Sequence, residues 1–301
     1  MSLTATVSDI TRCSLHDGPG IRTVIYFKGC GLRCKWCHNP ETLQKNKQLV
    51  HYASKCIGCG RCVTLCPVHH VVQDGKLHLV REGCTACGRC SQLCPTGALK
   101  LIGEEKSIDE LLEVIVKDKH FYDKSGGGVT FSGGECLLQP DFIAQLAKKC
   151  KQEGIHTAVE SAFFVPWESV EKILPYIDLF FADLKIPDPE KHRTYTGQNN
   201  TRILENITRL TQTQKNVIIR IPVIPTVNDS DTDLEQFTEI LNSLDKTALR
   251  VELLKYNHLS ESKYQILEQP YTKFFDAPQT DEFMRSYCEY LNAKTKLPCT
   301  F

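Results

Sequence analysis

The stretch HDGPGIRTVIYFKGCGLRCKWCHNP, residues 16–40, contains three cysteines within a short loop-like run. Cys30, Cys34 and Cys37 follow closely after a strand-like run of β-branched and aromatic residues, 23–27. Three residues separate the first pair and two separate the second. Three thiols placed so close together, without a fourth, are typical of a metal centre with one position left open. The rest of the chain indicates which centre this is.

The composition predicts a cytoplasmic protein with no membrane or nucleic-acid partner. A chain of 301 residues suits one large domain, or one domain with a small insertion. No apolar run approaches the ~20 residues that span a bilayer, and no signal peptide is visible. Lys and Arg total 36, as do Asp and Glu, and this balance argues against a general nucleic-acid binder.

The cysteine content indicates metal binding. Sixteen cysteines are many for a reducing compartment, where clustered thiols bind metal or react instead of forming disulfides. Most of them fall in three tight groups, at 30–37, 56–66 and 84–94. The scattered ones are interpreted as ordinary core or surface residues, namely Cys13, Cys136, Cys150, Cys288 and Cys299.

Outside the cysteine-rich stretch, strand-like and helix-like runs alternate. The strand candidates are short and rich in Val, Ile, Leu and Phe, as strands buried on both faces should be; they are 23–27, 129–132, 156–160, 179–184, 217–222 and 249–254. The helix candidates are 107–119, 139–154 and 231–244, with weaker patterns near 167–174, 200–212 and 280–293. Six β/α units in series predict an α/β fold with a parallel sheet, either open and doubly wound or an incomplete barrel. In both cases the chemistry belongs at the C-terminal ends of the strands, where the cysteine triplet falls.

The groups at 56–66 and 84–94 both read C-x2-C-x2-C-x3-C-P. Four thiolates hold a cubic iron–sulfur cluster, and in two-cluster ferredoxins the fourth cysteine of each run ligates the other cluster. We therefore assign Cys56, Cys59, Cys62 and Cys94 to one [4Fe-4S] cluster, and Cys84, Cys87, Cys90 and Cys66 to a second. A zinc ribbon is the alternative, although it normally uses paired C-x2-C elements separated by a longer loop. Residues 50–103 thus resemble a bacterial ferredoxin-like α+β domain, inserted into a larger domain of residues 1–49 and 104–301.

The triplet fits a third four-iron cluster. Three thiolates leave one iron without a protein ligand, so a small molecule has a position at which to bind. The pattern C-x3-C-x-aromatic-C, formed by Cys30, Cys34, Trp36 and Cys37, resembles the signature of the radical S-adenosylmethionine superfamily. The resemblance implies that the amino and carboxylate groups of S-adenosylmethionine chelate the open iron. One electron then splits the sulfonium into methionine and a 5′-deoxyadenosyl radical.

Three further segments narrow the resemblance: HDGPGIRT (16–23), SGGGVTFSGGE (125–135) and ADLK (182–185). Together with the inserted domain, they resemble a glycyl radical enzyme activating enzyme over essentially the whole chain. This implies a partial (β/α)6 barrel that removes a hydrogen atom from one backbone glycine of a large partner enzyme. A flavodoxin or a ferredoxin-type protein is the implied reductant. The two auxiliary clusters would either relay electrons or help to dock the partner.

The resemblance also implies roles for residues at the strand ends. Gly133, Gly134 and Glu135 match the segment whose backbone holds the amino group of the methionine moiety, and glycine lets the backbone approach a ligand closely. Lys185 is expected to bind the carboxylate of S-adenosylmethionine. Asp183 is expected near the cofactor and the target glycine, so these two join the cysteine triplet as catalytic candidates.

The later strands supply the remaining expected contacts. Glu160 and Ser161 stand where the best-known branch has Asp-Thr, whose acid contributes to a monovalent-cation site, so such a cation is a further candidate ligand. Arg220 is expected to face the cofactor. Asn257 replaces the family's usual histidine and is the expected substitute contact. The segment 17–20 corresponds to the part that meets the glycine loop of the partner.

Two other functions fit parts of the sequence. A radical S-adenosylmethionine peptide maturase also carries auxiliary clusters, although more often in a C-terminal region. An electron-transfer module would use the clusters without catalysis, but residues 104–301 are more folded chain than a carrier needs. The sequence leaves open which glycyl radical enzyme is the partner.

Overall fold

The fold is organised around one large sheet. We describe a computed structural model, which covers residues 3–66, 69–71, 77–245 and 248–301. Its strands are β1 (Thr4–Ser14), β2 (Arg22–Phe27), β3 (Gln48–His51), β4 (His69–Val71), β5 (Leu77–Leu79), β6 (Leu99–Ile102), β7 (Glu104–Ser107), β8 (Gly128–Gly133), β9 (His156–Ser161), β10 (Leu179–Asp183), β11 (Asn216–Val223), β12 (Ala248–Lys255) and β13 (Cys299–Thr300). Its helices are α1 (Arg61–Leu65), α2 (Arg89–Leu93), α3 (Ile108–Val116), α4 (Lys119–Ser125), α5 (Pro140–Gln152), α6 (Trp167–Ile173), α7 (Pro189–Thr196), α8 (Thr201–Thr211), α9 (Asp231–Ser243), α10 (Glu261–Ile266) and α11 (Asp281–Lys294).

The sheet has nine strands in the order β13-β12-β11-β10-β9-β8-β2-β1-β7. From β2 to β12 every neighbouring pair is parallel, and these six strands are the six predicted from the sequence. They lie in chain order, so their C-terminal ends meet along one edge of the sheet. β1 and β7 add an antiparallel edge and β13 extends the opposite edge. None of these three strands was among the predicted ones.

Helices pack against the sheet, and their buried side chains form one apolar core with those of the strands. All six predicted helices form, within a few residues of their expected ends. The expected capping box starts α3: Ser107 Oγ accepts from Glu110 N (3.3 Å), and Ser107 N donates to Glu110 Oε2 (2.8 Å). The shorter helices α4, α7 and α10 were not predicted. Within the described residues, no helix is both long enough and apolar enough to cross a membrane.

The cysteine-rich segment forms a small unit between β3 and β6, which pair antiparallel. Its two cysteine runs have the same backbone conformation. Gly60 and Gly88, with φ of +69° and +79°, precede the short helices α1 and α2. Gly58 and Ala86, two residues earlier, also have positive φ. The sequence repeat is therefore a structural repeat, although Pro67, which ends the first run, lies outside the described residues.

Candidate active site

A cavity of about 230 Å³ opens at the C-terminal ends of the parallel strands. Residues singled out from the sequence form much of its wall, namely Cys30, Cys34, Trp36, Cys37, Gly133, Gly134, Glu160, Ser161, Asp183, Lys185 and Arg220. Glu135 and Asn257, which were also expected here, do not line it. Lys255, the last residue of β12, and Tyr256, which follows it, also line the cavity, although neither was among the expected site residues.

Backbone hydrogen bonds hold the cysteine loop on two sides. Gly29 N and Cys30 N donate to the carbonyl groups of residues 42 and 43, at 2.7 and 3.2 Å. Arg33 N and Lys35 N donate to carbonyl groups at the end of α7, at 2.7 and 3.0 Å. The loop is thus positioned by elements that lie on either side of it in the fold and far apart in the sequence.

The three thiols of this loop are largely withdrawn from solvent, although each cysteine keeps some exposure. Burial raises the pKa of Cys30 and of Cys37 to about 12, and it raises the pKa of Cys34 as well. In this environment the thiolates need a compensating positive charge. Iron supplies that charge, so the chemistry of the donor set fits a metal cluster.

Gly133 packs against the end of β2, and Gly134 packs against the start of the cysteine loop that follows it. A Cβ atom on Gly134 would lie 2.3 Å from Gly29 O, and one on Gly133, where φ is +117°, would lie 2.3 Å from Phe27 O. Glu135 N donates to Gly29 O at 2.7 Å. These glycines therefore have a packing reason, the close approach of β8 to the cysteine loop, in addition to the expected contact with a ligand.

The side chain of Glu135 points behind the cavity wall. Its carboxylate accepts hydrogen bonds from Ser161 Oγ (2.8 Å), Ala162 N (3.1 Å) and Leu137 N (3.2 Å). Burial raises the pKa of Glu135 to about 7, and these donors oppose the shift. The side chain joins the ends of β8 and β9, so it supports the wall from outside the cavity.

Asp183 and Lys185 form an ion pair on the wall, with 2.8 Å between Lys185 Nζ and Asp183 Oδ2. The two side chains are 25% and 14% exposed. Burial acts to lower the pKa of Lys185, but the charges of Asp183 and Cys34 outweigh it and raise the pKa above its ordinary value. The lysine therefore remains an ammonium group, beside a carboxylate, at the edge of the cavity.

Arg220 connects three neighbouring strands. The register sets Arg220 opposite Asp183 on β10 and opposite Glu252 on β12. Its guanidinium pairs with Glu160 and with Glu252 (2.9 Å to Oε2), and it lies 3.7 Å from the centre of the Phe181 ring. Arg220 already places a positive charge on Glu160, which disfavours a monovalent cation beside that carboxylate, so such a cation stays a prediction.

The segment that follows β12 covers one side of the cavity. The ring of Trp36 packs edge-on against Phe274 (6.1 Å between centroids), and Phe274 contacts Tyr256 in the same way (6.2 Å). The side-chain carbonyl of Asn257 accepts a backbone hydrogen bond from two residues further on (3.2 Å). The backbone of Asn257 hydrogen-bonds to His38. Asn257 thus lies in a supporting turn, and Tyr256 is the wall residue in this region.

Asn228 holds two strand ends together and was missed by the sequence analysis. It is fully buried, and its Nδ2 donates to Lys185 O (2.6 Å) and to Pro222 O (2.7 Å). Its Oδ1 accepts from Ile224 N (2.7 Å). In a sequence, an asparagine in a loop indicates only a preference for turns. Its hydrogen bonds to the ends of two strands can therefore be identified only from the structure.

Two smaller cavities in the inserted unit are each lined by four cysteines. One, of about 20 Å³, is lined by Cys56, Cys59, Cys62 and Cys94, and the other, of about 90 Å³, by Cys66, Cys84, Cys87 and Cys90. These are the two sets expected from the crossed pattern of two-cluster ferredoxins, and four thiols around one cavity fit an iron–sulfur cluster. In the part of the chain that the structure describes, no three His, Cys, Asp or Glu side chains meet as ligands of a single metal ion.

Comparison with known families supports both parts of this description. Residues 81–237 match the family model described as the radical SAM superfamily, and residues 55–98 match the 4Fe-4S dicluster domain. The (2S)-3-sulfopropanediol dehydratase activating enzyme of Klebsiella oxytoca is 45% identical over 88% of this chain and 86% of its own length. The choline trimethylamine-lyase activating enzyme of Oleidesulfovibrio alaskensis is 43% identical over 89% and 88%, respectively.

A solved structure supports the fold alone. The crystal structure of Streptococcus suis SuiB bound to precursor peptide SuiA aligns with a TM-score of 0.58 and 15% identity. The alignment covers 94% of this chain and 48% of that one. At this identity, the comparison shows that the two chains share an arrangement of strands and helices. It does not indicate the substrate of this chain.

Proposed function

Because this chain belongs to the glycyl radical enzyme activating enzymes of the radical S-adenosylmethionine superfamily, we propose that the cavity at its strand ends holds S-adenosylmethionine for the reaction of that family. The reaction cleaves S-adenosylmethionine reductively and installs a radical on a backbone glycine of a partner enzyme. One observation carries the assignment to this cavity. Three half-buried thiols, a Gly-Gly turn and the Asp183–Lys185 ion pair share one wall.

The charges of the wall match the methionine moiety of S-adenosylmethionine. That moiety carries an ammonium and a carboxylate, and the wall offers the Lys185 ammonium next to the Asp183 carboxylate. Lys185 would bind the carboxylate, and the backbone of Gly133 and Gly134 would accept the ammonium. Arg220 is already engaged by two carboxylates, so we assign it to the framework of the site and to contacts with the rest of the cofactor.

We assign three [4Fe-4S] clusters to the chain, one held by Cys30, Cys34 and Cys37 and two held by the crossed cysteine sets of the insertion. When bound, the cluster of the triplet supplies the electron for cleavage and an iron at which S-adenosylmethionine can be chelated. Reconstituted protein should contain about 12 irons per chain. The triple change of these cysteines to alanine should leave about eight irons and no cleavage. About four irons in the unchanged protein would contradict the assignment of the insertion.

We propose that the larger domain is a partial (β/α)6 barrel of residues 1–49 and 104–301, with residues 50–103 as the inserted domain. The pairing of β3 with β6 brings the two ends of the insertion together, which supports these boundaries. The six parallel strands in chain order support the barrel. Because both edges of the nine-stranded sheet carry additional strands, the barrel would stay open along one side.

A flavodoxin or a ferredoxin-type protein is the proposed reductant. Cys59 and Cys87, one from each cysteine run of the insertion, are exposed. This exposure supports entry of electrons through the insertion, with docking of the partner as the alternative role. Changing Cys84 and Cys87 to alanine separates the two roles. A strong small-molecule reductant should restore activity if the insertion is a relay, and should fail to restore it if the insertion docks the partner.

We propose that the partner is a glycyl radical enzyme of the kind activated by these relatives. The test is anaerobic electron paramagnetic resonance of the reduced, reconstituted protein with S-adenosylmethionine and a panel of purified enzymes. The panel contains (2S)-3-sulfopropanediol dehydratase, choline trimethylamine-lyase and trans-4-hydroxy-L-proline dehydratase, the enzymes named for three of the relatives. A long-lived carbon-centred doublet with one of them would establish activation and identify the partner.

The triple cysteine-to-alanine variant is the control for this experiment, because it retains the fold and the insertion but lacks the reactive cluster. A doublet in this control would contradict the assignment of the triplet. Release of 5′-deoxyadenosine without a doublet from any member of the panel would overturn the choice of partners. That result would favour a different partner, such as the peptide substrate of a maturase.

A further inference from the structure

We propose that Arg22 is a positioning residue that holds the loop of residues 15–21, here called the DGPG loop, in place for the glycine-bearing segment of the partner. This inference rests on the proposed function, because it concerns the partner that the function requires. Arg22 was not selected from the sequence, although it follows the DGPG motif by two residues. No catalytic contact is assigned to it.

Arg22 is completely buried and has an unusual set of partners. Its guanidinium donates to Thr130 Oγ1 (2.6 Å), Val129 O (2.5 Å) and Pro19 O (3.2 Å), and it lies 3.3 Å from His156 Nδ1. Among the described residues, no carboxylate forms an ion pair with it. A buried cation with only neutral partners is costly, so its place in the fold calls for another explanation.

The contacts of Arg22 converge on the DGPG loop. Pro19 accepts a hydrogen bond from Arg22 directly, and Asp17 O accepts one from Thr130 Oγ1 (2.7 Å), the hydroxyl that also accepts from Arg22. A Cβ atom on Gly18, where φ is +131°, would lie 2.9 Å from Arg22 Cδ. The loop is therefore fitted closely onto the arginine, and glycine is needed at the point of contact.

The other side of the loop reaches the active-site cavity. His16 O accepts a hydrogen bond from Arg220, which lines the cavity (3.4 Å). A Cβ atom on Gly18 would also lie 3.4 Å from the Phe181 ring, the ring that packs under the Arg220 guanidinium. The loop thus forms a layer between the buried Arg22 and the floor of the cavity.

The loop also presents an apolar surface to solvent. Leu15 is 65% exposed, and His16 and Pro19 are exposed beside it. A polypeptide segment of the partner that enters the cavity must pass the residues at its edge. The backbone of the DGPG loop contacts the cavity floor, so its exposed Leu15 is placed to pack against such a segment. By holding the loop, Arg22 sets the position and orientation of this contact surface.

The experiment compares Arg22→Met with Thr130→Val and Thr23→Val in the full-length, reconstituted protein. Thr130→Val removes the hydrogen bond from Thr130 Oγ1 to Asp17 O and the one that this hydroxyl accepts from Arg22 Nε, but it keeps the arginine. It therefore guards against the possibility that loss of Arg22 prevents folding. Thr23 is the matched control. It is the next residue on β2, it is equally buried, and it bonds to Asp118 (2.7 Å) on the opposite face of the strand, away from the loop.

Three quantities are measured: the dissociation constant of S-adenosylmethionine, the hydrogen exchange of residues 15–21, and the yield of glycyl radical per 5′-deoxyadenosine released. For Arg22→Met we expect cofactor affinity within about twofold of the unchanged protein, because Arg220 keeps its two carboxylates. Exchange in the loop should be faster, and the radical yield should fall about tenfold or more. Thr130→Val should show the same pattern more weakly, and Thr23→Val should lower only the melting temperature.

Equal losses of radical yield in Arg22→Met and Thr23→Val would overturn the inference, because a general loss of stability would then explain both. Unchanged exchange of residues 15–21 in Arg22→Met would overturn it as well. If no enzyme of the panel acquires a radical from the unchanged protein, the choice of partners fails. The exchange measurement then still decides whether Arg22 holds the loop.

Discussion

Replacing Gly134 with alanine should disturb the cofactor site without touching any side chain in it. The new Cβ atom would lie 2.3 Å from Gly29 O and 2.9 Å from Thr42 O, both of them backbone atoms that cannot rotate away. To relieve the first contact, β8 and the cysteine loop must separate by about 0.7 Å, even for a tight contact of 3.0 Å. Such overpacking costs about 1–3 kcal/mol of stability.

The separation also strains the hydrogen bond from Glu135 N to Gly29 O, which joins β8 to the cysteine loop (2.7 Å). A displacement near 1 Å at a reacting centre lowers the rate by about 10²-fold. We therefore expect Gly134→Ala to weaken binding of S-adenosylmethionine and to release 5′-deoxyadenosine far more slowly. Anaerobic equilibrium dialysis, iron analysis and thermal unfolding provide the measurements.

Gly126→Ala is the matched control. Gly126 has φ of +70°, so alanine is strained there by about 1–2 kcal/mol, but its Cβ would meet no atom within 4 Å. The two variants should therefore lose similar stability, and only Gly134→Ala should lose cofactor affinity. If both bind S-adenosylmethionine as the unchanged protein does, the close approach of β8 does not position the cysteine loop, and our reasoning about the Gly-Gly turn is refuted.

Two further predictions concern buried polar groups. Glu135 ionises near pH 4.5 in the unfolded chain and near pH 7 in the fold, so its contribution to stability is present below pH 4.5 and is lost as the pH rises to about 7. Glu135→Gln should remove up to ~1.4 kcal/mol of this dependence per pH unit in anaerobic urea unfolding, and an unchanged slope would contradict the raised pKa. Asn228→Ala removes three hydrogen bonds to backbone groups, one buried and two partly buried, and should cost roughly 3 kcal/mol, with weaker cofactor binding through Lys185. The exposed Asn242→Ala, which loses one bond to Lys294 O, should cost less than about 1 kcal/mol, and equal losses would contradict the role of Asn228.

The sequence predicted the strands that are buried on both faces and missed those at the edges. The run 217–222 is continuously apolar apart from one arginine, which marks a central strand of a parallel sheet. β1, in contrast, reads TATVSDITRCS and is exposed along much of its length. Its pattern of half-polar residues is shared with loops, so its pairing with β2 and β7 depends on contacts that the local sequence does not specify.

In the candidate site, the sequence likewise predicted the residues that are close together in the chain better than the contacts between different strands. Cys30, Cys34 and Cys37 lie within one loop. The sequence therefore predicted this ligand set, because all of its members are close together in the chain. The interaction of Arg220 with Glu160 and Glu252 depends on the register of the four strands β9 to β12, so the sequence supported only the expectation that Arg220 faces the site. Asn257 was selected by position in a motif, whereas the fold puts its neighbour Tyr256 on the cavity wall.

The two kinds of cysteine site also differ in how much they depend on their metal. The triplet loop is held by backbone bonds to residues 42–43 and to the end of α7, so the large domain orders it before any cluster binds. The insertion has helices of five residues and strands of three or four, and its described hydrophobic cluster comprises Leu77, Cys90 and Leu99, together with Leu49 of the flanking strand β3. So small a core does not offset the entropy of ordering the chain, and metal ligation must supply the difference. We therefore expect cluster assembly to be coupled to folding in the proposed insertion, whereas at the triplet a cluster would fill a site that the parallel sheet has already formed.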